Sequence, residues 1–284
     1  MSAALQPQQK RALIIDDDPA VLNLLRAALE RKHIASAACA TGSEAVALVA
    51  SEPFDVILLD LGLPDIHGLE LIHQLHELAP AARIVIITAD TTSETLLQAI
   101  REKAFEYVCK PFDIQDVIDT VQRASSTPDE PAIEVLSAKP EWIELSIPCT
   151  HNAVDRIEHF IRQLIPTMPE DVAMQVTQAF RELVLNAVEW GGGLDPHRRV
   201  RIRCVHTSRL LLYHIADPGP GFRFEDLDHS AASNHNGAFA MAERREEKGL
   251  RPGGFGIRLA QQTADELIYN EKQNEVILIK YLDR

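Results

Sequence analysis

Cysteine, basic charge and long apolar runs are all scarce in this chain. Its four cysteines, Cys39, Cys109, Cys149 and Cys204, lie far apart and form no CxxC pair, so no disulfide framework is indicated. Reduced thiols and a cytoplasmic location are the expectation. Lysine and arginine number 28 against 42 aspartates and glutamates, for a formal charge of −14, and both halves of the chain are acidic. A DNA-reading output needs the basic footprint that phosphate contacts require, so nucleic acid is not an expected partner. The N-terminus lacks the apolar core of a secretion signal, and no uninterrupted apolar stretch approaches the ~20 residues of a membrane span. A membrane is therefore not expected either. At 284 residues the chain exceeds one typical hydrophobic core and suits two domains.

Residues 11–124 alternate short β-branched apolar runs with longer amphipathic segments, the pattern of βαβ units around a parallel sheet. Strands are expected at 12–15, 34–38, 56–59, 84–87 and 106–108, giving an α/β, doubly wound, five-stranded parallel sheet. Asp16, Asp17 and Asp60 fall just past the carboxyl ends of their strands, where open α/β sheets bind ligands. Crowded carboxylates repel one another, and a divalent cation resolves the repulsion. Mg²⁺ fits, since it accepts carboxylate oxygens and keeps waters free for a phosphoryl donor. Asp60 is then the nucleophile, and its attack on phosphorus gives an acyl phosphate. Lys110 can reach the same oxygens from the fifth strand, and Thr88 offers a hydroxyl from the end of the fourth.

The motifs LIIDDDP, DVILLDLGLPDIHG, IVIITA and YVCKPF occur in order across residues 10–124. In these the chain resembles the receiver domain of two-component response regulators. The resemblance implies a phosphoacceptor domain over residues 1–124 that takes its phosphate from an upstream histidine kinase or phosphotransfer protein. It also implies that Asp17 and Asp60 bind Mg²⁺ directly while Asp16 acts through water, and that Lys110 senses the phosphate. Thr88 and Tyr107 become a coupled switch pair, in which Thr88 moves to the phosphoryl group and the Tyr107 ring turns inward. Gly62 and Leu63 replace commoner residues after the nucleophile.

From 125 to 140 the chain carries Pro128, Pro131 and Pro140 among serine and acidic residues, which reads as a linker to a second domain over 141–284. An alternating strand at 142–147 and a helix over about 152–164 come next. A longer helix over about 169–190 is stopped by Gly191, Gly192 and Gly193. Val176, Phe180, Leu183, Val184, Ala187 and Val188 form its apolar face, and Glu182, Asn186 and Glu189 line the opposite side. Alone, that stripe reads as a solvated face. After strands at 200–205 and 210–216, however, comes Asp217-Pro218-Gly219-Pro220-Gly221. Its carboxylate can accept from an exocyclic amine, and its glycines let backbone approach a nucleotide. Gly253, Gly254 and Gly256 then open a helix expected over 257–267, whose free N–H groups suit phosphate. Acidic helix, DxGxG turn and glycine-opened helix, in that order, make ATP with Mg²⁺ the expected ligand.

ELSIP, HRRVRI, DPGPGF and GGFGIRLAQQTADEL, from about Glu141 onward, resemble the Bergerat-fold (GHKL) ATPase domain, an α/β sandwich. Histidine kinases, gyrase and anti-sigma-factor serine/threonine kinases share that domain, and the likeness is nearest to the last branch. The resemblance implies that Asn186 coordinates Mg²⁺ and that Glu182 is the general base for an acceptor hydroxyl. Asp217 reads adenine, and Gly219, Gly221, Gly253, Gly254 and Gly256 cradle the phosphates. Trp190 stands where relatives often carry histidine, and residues 222–252 read as a long cover over ATP. The leading expectation is a response regulator whose Asp60 phosphorylation controls a serine/threonine protein kinase acting on a partner-switching protein, an anti-sigma antagonist or a sigma factor. One rival is an atypical histidine kinase with an N-terminal receiver, for which His151 and His159 are the candidate acceptors. Another is an ATP-dependent binding module without kinase activity. Self-association as a homodimer stays open, as does the meaning of Arg199, Arg201 and Arg203 on one strand face, either solvated or a docking strip.

Overall fold

The computed structural model describes residues 10–90, 92–126, 130–139, 141–164, 168–221 and 256–282. The chain divides into two compact units, Met1–Asp129 and Glu130–Arg284.

In the first unit, β1 (Arg11–Ile15), β2 (Ala35–Cys39), β3 (Val56–Leu59), β4 (Arg83–Thr88) and β5 (Glu106–Cys109) alternate with α1 (Pro19–Arg31), α2 (Gly42–Ser51), α3 (Gly68–Leu78), α4 (Ser93–Arg101) and α5 (Ile114–Ser126). The strands pair in parallel in the order β2-β1-β3-β4-β5, so the chain reverses direction across the sheet between β1 and β3. β3 is buried along its whole length, as expected for a strand covered on both faces. Ile14, Leu58, Val85 and Ile87 pack on one side with Leu25, Leu29, Val117 and Val121 of α1 and α5. Asp18 caps α1 by accepting the Ala20 N–H at 2.7 Å, and Pro19 takes the first helical position, where no N–H is needed. At the far edge, Arg123 of α5 donates to both oxygens of the buried Glu106 at 2.8 Å, tying helix to strand.

The second unit runs β6 (Glu134–Lys139), β7 (Trp142–Pro148), α6 (His151–Leu164), α7 (Glu170–Asn186), a π-helical turn (Ala187–Gly191), β8 (Arg199–His206), β9 (Leu210–Ala216), α8 (Gly256–Thr263), β10 (Glu266–Tyr269) and β11 (Glu275–Tyr281). Its sheet, in the order β10-β11-β9-β8-β7-β6, is antiparallel throughout. Burial alternates along β9, where Leu211, Tyr213 and Ile215 are buried and their neighbours are not, so one face meets the core and one does not. Phe180 of α7 meets Tyr213 on the covered face, with ring centroids 4.9 Å apart. On the other face Arg203 donates to Glu144 at 2.9 Å and to His214 Nδ1 at 2.9 Å, while His214 Nε2 bonds Glu275 at 2.9 Å. A guanidinium only donates, so Nδ1 is the acceptor and Nε2 carries the proton. Arg199 donates to Ser146 and to the Ala132 carbonyl, so Arg199 and Arg203 are bonded and half-buried on this sheet face, whereas Arg201 between them is exposed.

Three sequence expectations change. Residues 134–139, assigned above to the linker, form β6 against β7, with a register irregularity between Val135 and Ser137. The nearby prolines flank this strand instead of interrupting it. The helix expected to reach Leu267 stops at Thr263, because Glu266–Tyr269 pair with β11 and satisfy their backbone there. The long helix expected to reach residue 190 is α-helical only to Asn186 and then widens into the π turn.

Because Phe180 is fully buried against Tyr213, Phe180→Ala is expected to destabilise the second unit by about 3–5 kcal/mol. Urea unfolding of the full chain followed by circular dichroism measures this, and a change under about 1 kcal/mol would remove the ring pair from the core.

Candidate functional site

β1 and β3 release their chains at the reversal point of the parallel sheet, which brings Asp16, Asp17 and Asp60 together. Each places an oxygen within 4.8 Å of the others. Asp16 and Asp60 are buried and Asp17 is exposed. Lys110, one residue past β5, donates to Asp16 Oδ2 at 2.7 Å and to Asp60 Oδ2 at 2.8 Å. Burial raises the Asp16 carboxyl above its ordinary pKa, and the Lys110 bond offsets this only in part. Burial by itself would lower the Lys110 ammonium, but its bonds to the two carboxylates outweigh that and leave it raised. Three carboxylates at this spacing fit a hard divalent cation, with the exposed Asp17 on the side open to water. Asp18, the next acid in the run, is occupied as the α1 cap.

Thr88, at the end of β4, is buried, and its hydroxyl accepts the Asp90 N–H at 3.3 Å. The Asp90 carboxylate in turn accepts from Thr95 Oγ1 at 2.6 Å and from the Thr92 N–H at 2.9 Å, bonds that hold its pKa below the ordinary range. A chain of bonds thus runs from Thr88 to the first turn of α4. The Tyr107 ring lies inside, 6% exposed, and its hydroxyl is buried without a bonding partner among the described residues. Burial of the aromatic body takes the hydroxyl with it and raises its pKa. Sequence reading missed Asp65, which accepts from the Gly42 and Ser43 N–H groups at 2.9 Å and from Ser43 Oγ at 2.8 Å. These bonds moor the loop that follows Asp60 to the start of α2 and lower the Asp65 pKa to about 2.

In the second unit, Glu182 and Asn186 lie one turn apart on α7 and are half-buried. A Cβ built on Gly256, the first residue of α8, would come within 2.4 Å of Glu182 Oε2, so the carboxylate lies against the start of that helix. Glu189 does not share their face. The π turn rotates it inward, where it is 4% exposed and bonds His151 Nε2 at 3.2 Å. Two residues on, Gly191 presses its Cα against the side chain of Asp217, where a Cβ would sit 2.2 Å from Oδ1. Asp217 follows β9 directly, and its Oδ1 accepts the Gly219 N–H at 2.7 Å. Asn274 Nδ2 bonds the carbonyls of Asp217 and Gly219, and Gly221, at φ +82°, backs onto the Lys272 carbonyl. Burial raises the Asp217 pKa, while the Gly219 N–H and nearby Arg198 pull it back in part. Glu182, Asn186, Asp217, Gly219, Gly221 and Gly256 all lie on α7, the turn after β9, and the start of α8. Gly253 and Gly254, with the expected cover at 222–252, lie outside the described residues.

The Lys110 geometry sets a pH dependence. Lys110→Ala removes the bonds that hold Asp16 down, so the Asp16 pKa rises further above its unfolded value of 3.8. A carboxyl raised in the folded state loses stability as pH climbs from the unfolded to the folded pKa. Relative to wild type, the variant is expected to be more weakened at pH 8 than at pH 5, with Mg²⁺ restoring part of the loss. Urea titrations at both pH values check this, and an equal loss at both would dissociate Lys110 from the Asp16 charge.

Residues 12–122 match the family described as the response regulator receiver domain, and residues 147–280 match the histidine kinase-like ATPase domain. The response regulator protein PilR of Pseudomonas aeruginosa is 34% identical over 41% of this chain and 26% of its own length. The DNA-binding transcriptional regulator NtrC of Salmonella typhimurium is 31% identical over 48% of this chain and 28% of its own. The chain spans about half or less of the length of the first curated relatives it matches. Among solved structures, a CheY-like response regulator receiver domain protein from Methanospirillum hungatei is 30% identical, covering 41% of this chain and 93% of that one with a TM-score of 0.40. The chain therefore joins a response regulator receiver domain to a histidine kinase-like ATPase domain.

Proposed function

We propose that phosphorylation of Asp60 controls an ATP-dependent serine/threonine protein kinase in the second domain, acting on a partner-switching protein such as an anti-sigma antagonist or a sigma factor. A receiver domain implies an upstream phosphodonor such as a histidine kinase. Asp60 accepts the phosphoryl group, with Asp16 and Asp17 beside it to hold Mg²⁺ and Lys110 already bonded to Asp60 Oδ2. Mg²⁺, when bound, neutralises charge on the phosphoryl oxygens. Thr88 and Tyr107 form the switch pair. With the ring already buried, the change at Thr88 passes through the bonds from Asp90 to the start of α4.

The observation that carries the kinase reading is the Glu182 carboxylate against the start of α8. A helix N-terminus suits phosphate, and a carboxylate beside it is placed to take a proton from a hydroxyl that attacks there. Asn186, one turn on, is the Mg²⁺ ligand of the nucleotide, and Asp217 reads the base. A histidine kinase needs its acceptor on a two-helix hairpin, whereas α6 is the single helix described between β7 and α7. His151 on that helix is bonded to Glu189, and His159 Nε2 is buried.

Incubating the full chain with labelled ATP, Mg²⁺ and candidate partner-switching proteins tests the reading. Acid-stable phosphate on a partner serine or threonine is expected. Glu182→Gln should lower transfer by about 10²–10⁴-fold while ATP still binds, and Asn186→Ala should lose the Mg²⁺-dependent part of ATP affinity. Acid-labile phosphate on histidine would favour the histidine kinase, and tight partner binding without transfer would favour a binding module.

Receiver control is tested with a small-molecule phosphodonor. Asp60→Asn is expected to abolish the hydroxylamine-labile phosphate and to fix partner phosphorylation at the unphosphorylated rate. A tenfold effect of phosphorylation needs only ~1.4 kcal/mol of coupling. Equal rates for wild type with and without phosphodonor would mean that the two domains are merely tethered.

A further inference from the structure

Asp217 is held between two segments that come from distant parts of the chain. On one side lies the backbone of Gly191, at the end of the π turn, with no room for a Cβ. On the other is its own turn, where the Gly219 N–H occupies Oδ1 at 2.7 Å. Among the described residues Oδ2 is the oxygen left to meet a ligand, and its direction depends on the spacing of those two segments. One side chain reaches both: Arg198, just before β8, donates from Nη2 to the Pro218 carbonyl at 2.7 Å and from Nη1 to the Gly192 carbonyl at 3.3 Å. Each acceptor is adjacent in sequence to a residue that touches the Asp217 carboxylate.

We propose that Arg198 is the positioning residue for Asp217, fixing the carboxylate so that it accepts from the exocyclic amine of adenine. The inference rests on the reading of this unit as an adenine-nucleotide site. A guanidinium suits the task because its donors form a planar fork of set width, so two carbonyls bound to one fork are held at a set separation. A lysine ammonium at the same place is a point donor on a flexible stem. Arg198 also brings positive charge near a carboxylate that burial would otherwise drive toward its neutral form, in which it accepts less well. Cys149 lies beneath the same region, against Gly192, and its thiol is pushed up to about 11 by burial, which leaves it a packing group.

The test uses the full chain with Mg²⁺ and two ligands, ATP and purine riboside triphosphate, which lacks the exocyclic amine. Isothermal titration gives both affinities for wild type, Arg198→Ala, Arg198→Lys and Asp217→Asn. Wild type is expected to prefer ATP. Arg198→Ala should weaken ATP by about tenfold and the analogue little, so that the preference collapses as it does in Asp217→Asn. Arg198→Lys should keep the fold and lose most of the preference. Equal weakening of both ligands in Arg198→Ala, or full preference in Arg198→Lys, would overturn the positioning role while leaving the nucleotide site in place. Wild type that binds neither ligand would instead overturn the nucleotide reading, and this inference with it.

Discussion

A single ammonium between two carboxylates governs the first unit. Asp16 and Asp60 emerge from adjacent strands because a parallel sheet with its reversal between β1 and β3 brings both carboxyl ends to one place. The fold thus concentrates negative charge where it is least solvated. Lys110, brought in by β5 on the far side of β4, lies within 2.8 Å of both and makes that concentration tolerable. The same arrangement leaves the site responsive. A phosphoryl group on Asp60 would add negative charge at a point where the compensating cation is already committed, and Thr88 is the nearby hydroxyl whose present bond, from the Asp90 N–H, is long.

The second unit handles a half-buried carboxylate without placing an ammonium on it. Asp217 is held by one N–H, by the close approach of Gly191 and by the fork of Arg198 on either flank. Its environment is therefore mainly backbone dipoles. Such a site is shaped by chain path, and the covered face of the antiparallel sheet, with Phe180 against Tyr213, fixes that path by holding α7 in place.

Much of this was legible in the sequence. The strand-end acids, Lys110 and the alternating apolar runs specify the parallel sheet and its site almost without help, since period and position agree. In the second unit Glu182, Asn186 and Asp217 were legible from motif order. What escaped was set by tertiary contacts. Nothing local marks Glu134–Lys139 as a strand until β7 offers its edge. Glu189 fits a helical stripe by counting, and only the π turn turns it toward His151. Asp65 and Arg198 act on backbone groups 22 and 20 residues away, pairings that no single-sequence period encodes.

The glycines after the π turn carry one more consequence. Gly191 faces Asp217 and Gly192 faces the Cys149 sulfur, each so close that neither position admits a side chain. The surface that Gly191 turns toward the Asp217 side chain is thus main chain. Walls built of side chains are widened or narrowed by exchanging one residue for another, and specificity can drift that way by small steps. A main-chain wall offers no such steps: its position changes only if the path of the helix end changes. The separation of that main chain from the Asp217 carboxylate is accordingly a property of the fold.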